Sequence, residues 1–460
     1  MSSLSRLSSL LLGAITSFSA MATDDLMDIY QKSLNHDPSW AAIVQEYEAN
    51  REVELQGRAE LLPTISADAS TSKNHNHLKG VQDQTYDSSQ AGASIEQPLI
   101  KVDGVYTYRR AKALVEQADA KFASDLQNFI LKVASAYFGV LRAEDTLTFT
   151  KADEEAIAQQ LEQAQERFDV GLIPITDVYE AQAAHDLARV NVIVAENDLS
   201  IAKEDLETLT GEAHHTVNPL MEKFPIGLPQ PTSMKDWEEK ALAQNYAILQ
   251  AMHGKKAAKH EIRIQRNARS PVLDAFATYS YTDSDEERTL GTGGTGTAPV
   301  ELITYGLRVD WPIFSGGAIS SRTREASYRY ESSKEQFENA QKLTIQETRN
   351  FYRTVVADVS TVGARQQGIR SANSALDATM AGYDVGTRNI VDVLNAQQAL
   401  FAAKRDYANA RYDYVLNWLS LQSLVGELTE TNLEELNKWL PPAEQQKSKT
   451  KSQSKNKKKS

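Results

Sequence analysis

The chain has 460 residues and a formal net charge of −13, although residues 447–460 carry seven lysines and no acid. Only 41% of the residues are hydrophobic and 8% are aromatic, and no run of about 18 apolar residues follows residue 22, which excludes a membrane protein built of transmembrane helices. The acidic balance makes the body of the chain a poor partner for nucleic acid. Because the chain has no cysteine, we expect neither disulfides nor a lipoprotein anchor.

Residues 1–22 have the pattern of a secretory signal peptide. Arg6 precedes an apolar stretch around Leu11, and Ala20 and Ala22 supply the small residues at positions −3 and −1 of a cleavage site. We therefore expect an exported protein whose mature chain begins near Thr23. In a membrane such a chain could form only a β-barrel, since it lacks apolar helices.

Four segments have the character of β-strands, two in each half of the chain. They are residues 64–73, 91–99, 273–282 and 303–313. In the last segment Ile303, Tyr305 and Leu307 begin a strict alternation with polar or small residues, over about ten residues, which is the length of a strand in a membrane barrel. Polar loops, 73–90 and 283–299, separate the members of each pair.

Two long stretches without proline, between Pro98 and Pro174 and between Pro312 and Pro441, predict long helices. In the first stretch apolar or small residues recur in alternating steps of four and three from Phe122 to Phe168, with one lapse. This heptad pattern predicts a left-handed coiled coil, and about 66 helical residues would extend roughly 100 Å.

The chain also contains a duplication. Residues 169–212 realign without a gap onto residues 384–427, with 16 of 44 positions identical. Gly171 and Gly386 are placed to end the long helices with a positive φ, and Asp177 and Asp392 fall in the first turn of the returning helices. The sequence thus predicts two antiparallel helical hairpins, each preceded by a strand pair. Four strands cannot close a barrel in lipid, so two, three or four chains must share one.

The tips of the two hairpins resemble those of the TolC family of outer-membrane channels. The residues that carry the resemblance are RFDVGLIPITDV (167–178) and GYDVGTRNIVDVLNA (382–396), together with the signal peptide and the strand pairs, over about residues 23–440. The resemblance implies an α+β membrane protein, mainly α: a trimeric 12-stranded outer-membrane β-barrel continuous with a 12-helix periplasmic coiled-coil tunnel, with two structural repeats in each chain.

We expect the chain to have six parts, of which the resemblance covers those within about residues 23–440. The expected parts are a signal peptide (1–22), repeat 1 (23–211), an equatorial linker (212–236), repeat 2 (237–427), an equatorial C-terminal segment (428–445) and a disordered Lys-rich tail (446–460).

The resemblance also implies the function. It indicates a passive exit duct in the outer membrane of a Gram-negative bacterium, for tripartite efflux pumps, type I protein secretion or both. The implied partners are two further copies, a periplasmic adaptor (membrane fusion) protein, an inner-membrane transporter of the RND, ABC or MFS type, and outer-membrane lipid. No enzymatic activity, cofactor or metal is expected.

Six residues at the tips are implicated in gating by the resemblance. Tyr383 and Arg388 of one tip would bond to Thr176 and Asp177 of the other and hold the periplasmic entrance closed. Asp392 would line the pore constriction, and Asn395 stands where the family commonly has a second aspartate.

Two alternatives stay open from the residues alone, a periplasmic coiled-coil scaffold and a periplasmic adaptor. The alternating strand at 303–313 and the presence of two hairpins argue against them. The sequence does not reveal the cargo, the adaptor, the pump or the role of the tail.

Overall fold

The computed structural model describes residues 24–76, 84–214, 216–285, 288–289, 295–296 and 298–441. The expected signal peptide and Lys-rich tail, and parts of both polar loops, lie outside these residues. In chain order the described elements are α1 (Leu26–His36), α2 (Pro38–Ala59), β1 (Thr64–Asn76), β2 (Gln84–Ile100), α3 (Val102–Asp169), α4 (Ile175–Thr210), α5 (Met234–Gln244), α6 (Tyr246–Asn267), β3 (Val272–Ser284), β4 (Arg288–Thr289), β5 (Thr295–Gly296), β6 (Val300–Asp310), α7 (Ala318–Asp384), α8 (Ile390–Leu424) and α9 (Glu430–Asn437).

Four strands form one antiparallel sheet in the order β1-β2-β3-β6, which leaves β1 and β6 at the edges. The strands of the first repeat are longer than the sequence indicated, since β2 begins at Gln84 instead of residue 91. Its first residues are mostly polar and show no apolar alternation, yet they pair along their whole length with β1. Strand β6, in contrast, ends at Asp310 and not at the predicted residue 313. Pro312 has no N–H to donate to a neighbouring strand.

Five described helices, α1, α2, α5, α6 and α9, were not identified from the sequence. Helices α5 and α6 begin 208 residues after α1 and α2 respectively (Leu26 to Met234, Pro38 to Tyr246), and β1 and β3 keep the same spacing. Asp37 caps α2 by accepting a hydrogen bond from the Ser39 amide at 2.8 Å, and Asn245 caps α6 in the same manner. The duplication therefore includes the short helices and the strands as well as the hairpins.

The helices form a single layer that continues from one end of the sheet. Of the long helices, α3 has 68 residues and α7 has 67, so each extends roughly 100 Å, in agreement with the heptad prediction. On one side of α3, α2 packs against the half near the sheet and α4 against the distal half; α6 and α8 pack in the same way between α3 and α7. In the described part of the chain no helix combines the length and the apolar character needed to cross a membrane.

The largest core lies midway along the helical layer. There the short helices α1, α5 and α9 and the segment around Leu220 join the long helices in one core, which buries Tyr137, Phe138 and Trp237 almost completely. The Tyr137 hydroxyl donates to the Asn218 carbonyl at 2.7 Å, which fixes this belt to the long helix. A second, smaller core lies at the distal end, where the two hairpins meet.

Candidate functional site at the hairpin tips

The two hairpin tips turn with the same backbone. Gly171 (φ 76°) and Gly386 (φ 74°) both occupy the left-handed region that favours glycine. In each tip an amide closes the end of the long helix: Leu172 N–H donates to the Arg167 carbonyl at 2.8 Å, and Thr387 N–H donates to the Gly382 carbonyl at 2.8 Å. These bonds satisfy carbonyls that a helix end otherwise leaves without partners.

The helices restart differently after the two turns. In the first tip the N-cap is Pro174, whose side chain cannot accept a hydrogen bond. In the second tip Asn389 and Asp392 form a reciprocal capping box, with the Asp392 amide donating to Asn389 Oδ1 at 2.8 Å. The carboxylate of Asp392 is thereby engaged at the start of α8, one turn before Asn395, whose side chain is exposed.

Tyr383 is the central residue of the distal core. Only 8% of the residue is exposed, and it packs with Val178, Ile390 and Val393 from both hairpins. Its hydroxyl is buried and has no hydrogen-bond partner of suitable geometry within the described chain. Burial raises the pKa of Tyr383; Arg167 opposes this rise, and the negative charge of Asp177 adds to it. Tyr383 thus packs with Val178, the residue that follows Asp177, but in the described part of the chain its hydroxyl makes no hydrogen bond to Asp177 or Thr176.

Arg388 and Thr176 are placed differently. Arg388 lies in the turn just before α8; its guanidinium is 3.7 Å from the carboxylate of Asp392 in the first turn of that helix, and the Arg388 side chain is 60% exposed. Thr176 is exposed, and its hydroxyl lies 3.4 Å from Asp177 Oδ1. The described contacts of Arg388 thus lie within its own tip, and its exposure leaves it accessible to a neighbouring molecule.

Two further residues belong to this site and were missed in the sequence. Arg167 stacks on the Tyr383 ring with 4.7 Å between the guanidinium carbon and the ring centroid, and it forms an ion pair with Asp384 at 2.6 Å. The aligned repeats contain a signal for this arrangement, because Gly382 stands opposite Arg167. A Cβ at Gly382 would lie only 2.8 Å from Arg388 Cγ, so the second tip needs a residue without a side chain there.

Comparison with known proteins points to one family. The sequence profile of the family described as "Outer membrane efflux protein" matches residues 29–212 and 237–427. The chain is 33% identical over 441 residues to the outer membrane protein TolC of Escherichia coli, covering 93% of this chain and 87% of that protein. It is 32% identical over 425 residues to TolC of Vibrio cholerae (92% and 96% covered).

A third relative and two solved structures extend the comparison. The alkaline protease secretion protein AprF of Pseudomonas aeruginosa is 30% identical over 420 residues (89% of this chain, 86% of that protein). Among solved structures, CusC superimposes with a TM-score of 0.74 at 16% identity, covering 88% of this chain and 92% of that one. The outer membrane protein VceC of Vibrio cholerae gives a TM-score of 0.73 at 17% identity (87% and 96% covered). At these identities the two structures show the fold.

Proposed function

Because this chain belongs to the outer membrane efflux protein family, we propose that three copies of it assemble into one closed tunnel across the outer membrane and the periplasm. The chain is an outer-membrane exit duct for efflux and type I secretion. The observation that carries the assembly is the open-edged sheet continued by an open-edged helical layer, since neither is complete in one chain. In a trimer, four strands from each chain give twelve.

The sheet has one apolar and one polar face, as a barrel wall requires. Cross-strand neighbours on the apolar face include Ile65, Ile95, Ala277 and Tyr305, which share one register across all four strands. On the opposite face Arg308 pairs with Glu96 and lies 3.8 Å from Asp274, which is 6% exposed. We assign the apolar face to lipid and the charged face to the lumen.

The two edges of the helical layer are complementary in side-chain size. On α4, large apolar residues recur at steps of three, four and seven and are half exposed: Leu187, Val190, Val194 and Ile201. On α7, small exposed residues recur at heptad spacing: Ala357, Thr361, Ala364, Ser371, Ala375 and Ala378. Packing α4 of one chain against α7 of the next would bury the large residues against a backbone that can approach closely.

We propose that the tips close the periplasmic entrance of this tunnel. Tyr383 would interact with Asp177 of the same chain. Arg388 would bond to Thr176 or Asp177 of the neighbouring chain. Its 60% exposure and its long, weak pairing with Asp392 leave Arg388 available for this contact. One exposed pair contributes about 0–1 kcal/mol, but three sets could total a few kcal/mol, enough to bias an entrance that partners open.

The proposed constriction carries less charge than one with two aspartates in each chain. Asp392 would contribute one carboxylate per chain, already engaged with Asn389 and Arg388, and Asn395 contributes none. We expect weaker cation selectivity and weaker block by polyvalent cations than in a family member with two aspartates. Equal block in bilayer recordings would contradict this expectation.

The remaining assignments follow from the family. We propose that a periplasmic adaptor and an energised inner-membrane transporter (RND, ABC or MFS type) engage the tunnel, and that the chain has no catalytic activity. We also propose the expected division into two repeats and belt segments, with repeat 2 including the whole of α5 (Met234–Gln244) instead of beginning at residue 237. The matches give no support to a scaffold or an adaptor.

Two tip variants test the proposed closure. Arg388→Ser and Tyr383→Phe should each raise the single-channel conductance of the reconstituted protein and sensitise cells to large antibiotics. Arg370→Ser, an exposed arginine farther along α7, is the matched control and should change neither. Unchanged conductance in both tip variants would remove these residues from the gate.

A further inference from the structure

One segment of this acidic protein is strongly basic. Between residues 255 and 269, at the end of α6 nearest the sheet, six lysines and arginines accompany a single acid, Glu261. We call the three cations spaced along this helix, Lys259, Arg263 and Arg266, the basic stripe. All three side chains are exposed, and steps of four and three place them on one helical face.

The nearby carboxylates do not neutralise this stripe. Glu261 pairs with Arg110, and Glu116 pairs with Lys256 at 2.6 Å. In the described ranges no carboxylate oxygen lies within ion-pair distance of any residue of the basic stripe. Its charge therefore faces solvent, or another molecule, without internal compensation.

Residues from α3 extend the positive field. The guanidinium groups of Arg109 and Arg263 both lie over the Tyr106 ring at 5.3 Å, and Arg263 also donates to the Tyr106 hydroxyl at 3.1 Å. His260 stacks on the same ring, and its pKa is lowered, first by burial and then by the surrounding cations. Both arginines are thus held at the same aromatic ring.

The basic stripe lies directly beneath the sheet. Helix α6 ends at Asn267 and β3 begins at Val272, so Arg266, Arg263 and Lys259 lie about 2, 6 and 12 Å from the end of the helix. The apolar residues Trp311 and Phe314, 60% and 87% exposed, follow β6 at this same end of the sheet. Exposed aromatic residues backed by cations are typical of a membrane–water interface.

The stripe also lies on the side of the helical layer that carries the belt. Lys255, one helical turn before Lys259, lines a surface depression together with Leu242 of α5. Glu261 and Arg110 line a separate depression that lies on the opposite side of α6. In the proposed tunnel the layer of long helices is the wall, and we place the belt that is added to it outside the lumen. The basic stripe then faces outward, beneath the side of the sheet assigned to lipid.

We propose that the basic stripe, together with Arg109, binds the phosphate headgroups of anionic phospholipids in the periplasmic leaflet of the outer membrane. This inference rests on the outward orientation of the apolar sheet face in the proposed function. The headgroup layer is about 5–8 Å thick, and long cationic side chains reach along the helix to meet it. Binding there would set the depth of the tunnel in the membrane.

The test measures lipid retention by the purified full-length oligomer. The protein in detergent is mixed with equal amounts of phosphatidylglycerol and phosphatidylcholine, and the bound lipids are counted by native mass spectrometry. We expect phosphatidylglycerol to be preferred by roughly tenfold, as favourable headgroup contacts of several cations predict. In Lys259→Gln/Arg263→Gln/Arg266→Gln the ratio should fall to about one.

A matched triple variant controls for the loss of charge. Arg189→Gln/Lys223→Gln/Arg370→Gln removes three exposed cations remote from the sheet and should keep the preference. An unchanged ratio in the basic-stripe variant would overturn the proposal, and so would displacement of phosphatidylglycerol by millimolar inorganic phosphate, which would identify a site for free phosphate. Conductance in phosphatidylcholine bilayers distinguishes failure of the lipid-binding proposal from failure of the proposed channel function. The basic-stripe variant should still form channels. Absence of channels in the unmodified protein would contradict the proposed function.

Discussion

The two hairpin tips have nearly the same backbone but different side chains. Both end their long helix at a glycine of positive φ and close it with a 2.8 Å amide–carbonyl bond. Around that turn, Arg167 and Phe168 of the first tip correspond to Gly382 and Tyr383 of the second. The first tip thus supplies the cation and the second supplies the aromatic ring on which it stacks.

The shared backbone is what a helical hairpin requires, whereas the side chains that differ are candidates for the proposed gate. A helical hairpin requires the left-handed residue and the closing hydrogen bonds, and both copies have kept them. A plain hairpin does not require a buried tyrosine whose hydroxyl has no hydrogen-bond partner among the described residues, and the equivalent residue of the first tip is Phe168. Divergence at these positions is therefore the strongest structural support for distinct roles of the two tips.

The largest expected effect comes from truncating the aromatic residues at equivalent positions. Tyr383→Ala should destabilise the distal core by about 3–5 kcal/mol in each chain, since it removes a side chain that is almost fully buried between the hairpins. Phe168→Ala should cost less, because Phe168 is only partly buried against the same core. The temperature at which the detergent-resistant oligomer dissociates would rank the two variants, and equal losses would contradict this difference between the tips.

The shared backbone predicts equal effects from the two glycines. Gly171→Ala and Gly386→Ala should each cost about 1–2 kcal/mol, because alanine is strained at positive φ while the space around both residues is open. Thermal dissociation of the oligomer measures both. Markedly unequal shifts would show that the tips differ in backbone environment as well as in side chains.

A charge substitution tests whether the second hairpin, and not the first, forms the proposed constriction. Asn395→Asp should strengthen block by polyvalent cations in bilayer recordings, because it doubles the number of carboxylates contributed by each chain. Glu180→Gln, the exposed position equivalent to Asn395 in the first hairpin, serves as the control and should alter block little. The reverse ranking would place the constriction in the first hairpin.

The smallest expected effect is a pH dependence in α3. Asp153 stands where α7 has Gly368, and burial raises the pKa of Asp153 to about 6. Because this pKa exceeds the unfolded value of 3.8, the folded state binds a proton more tightly, and stability falls as pH rises from about 4 to about 6. The wild type should therefore dissociate at a higher temperature at pH 5 than at pH 8, and Asp153→Asn should reduce the difference.

The long helices, the duplication and the tip turns could be predicted from the amino-acid sequence alone. These features depend on local patterns: a heptad period, the absence of proline over some 70 residues, and a glycine placed after a helix. The same locality explains what was missed. Helices α1, α5 and α9 have 8 to 11 residues, and α2 and α6 have 22, so none carries the long heptad pattern that predicts α3. The polar first half of β2 has no apolar alternation, and its strand conformation depends on pairing with β1.

The contacts among the tip residues, in contrast, depend on how the helices pack together. The tertiary structure placed Tyr383 beside Arg167 and Asp177, which are more than 200 positions distant along the chain, and it kept Arg388 with Asp392. It also gathered the cations of α3 and α6 around Tyr106 below the sheet. Sequence periodicity specifies which face of a helix is apolar. The partners of a side chain depend on which helices are neighbours, and the choice of neighbours is set by packing between distant parts of the chain.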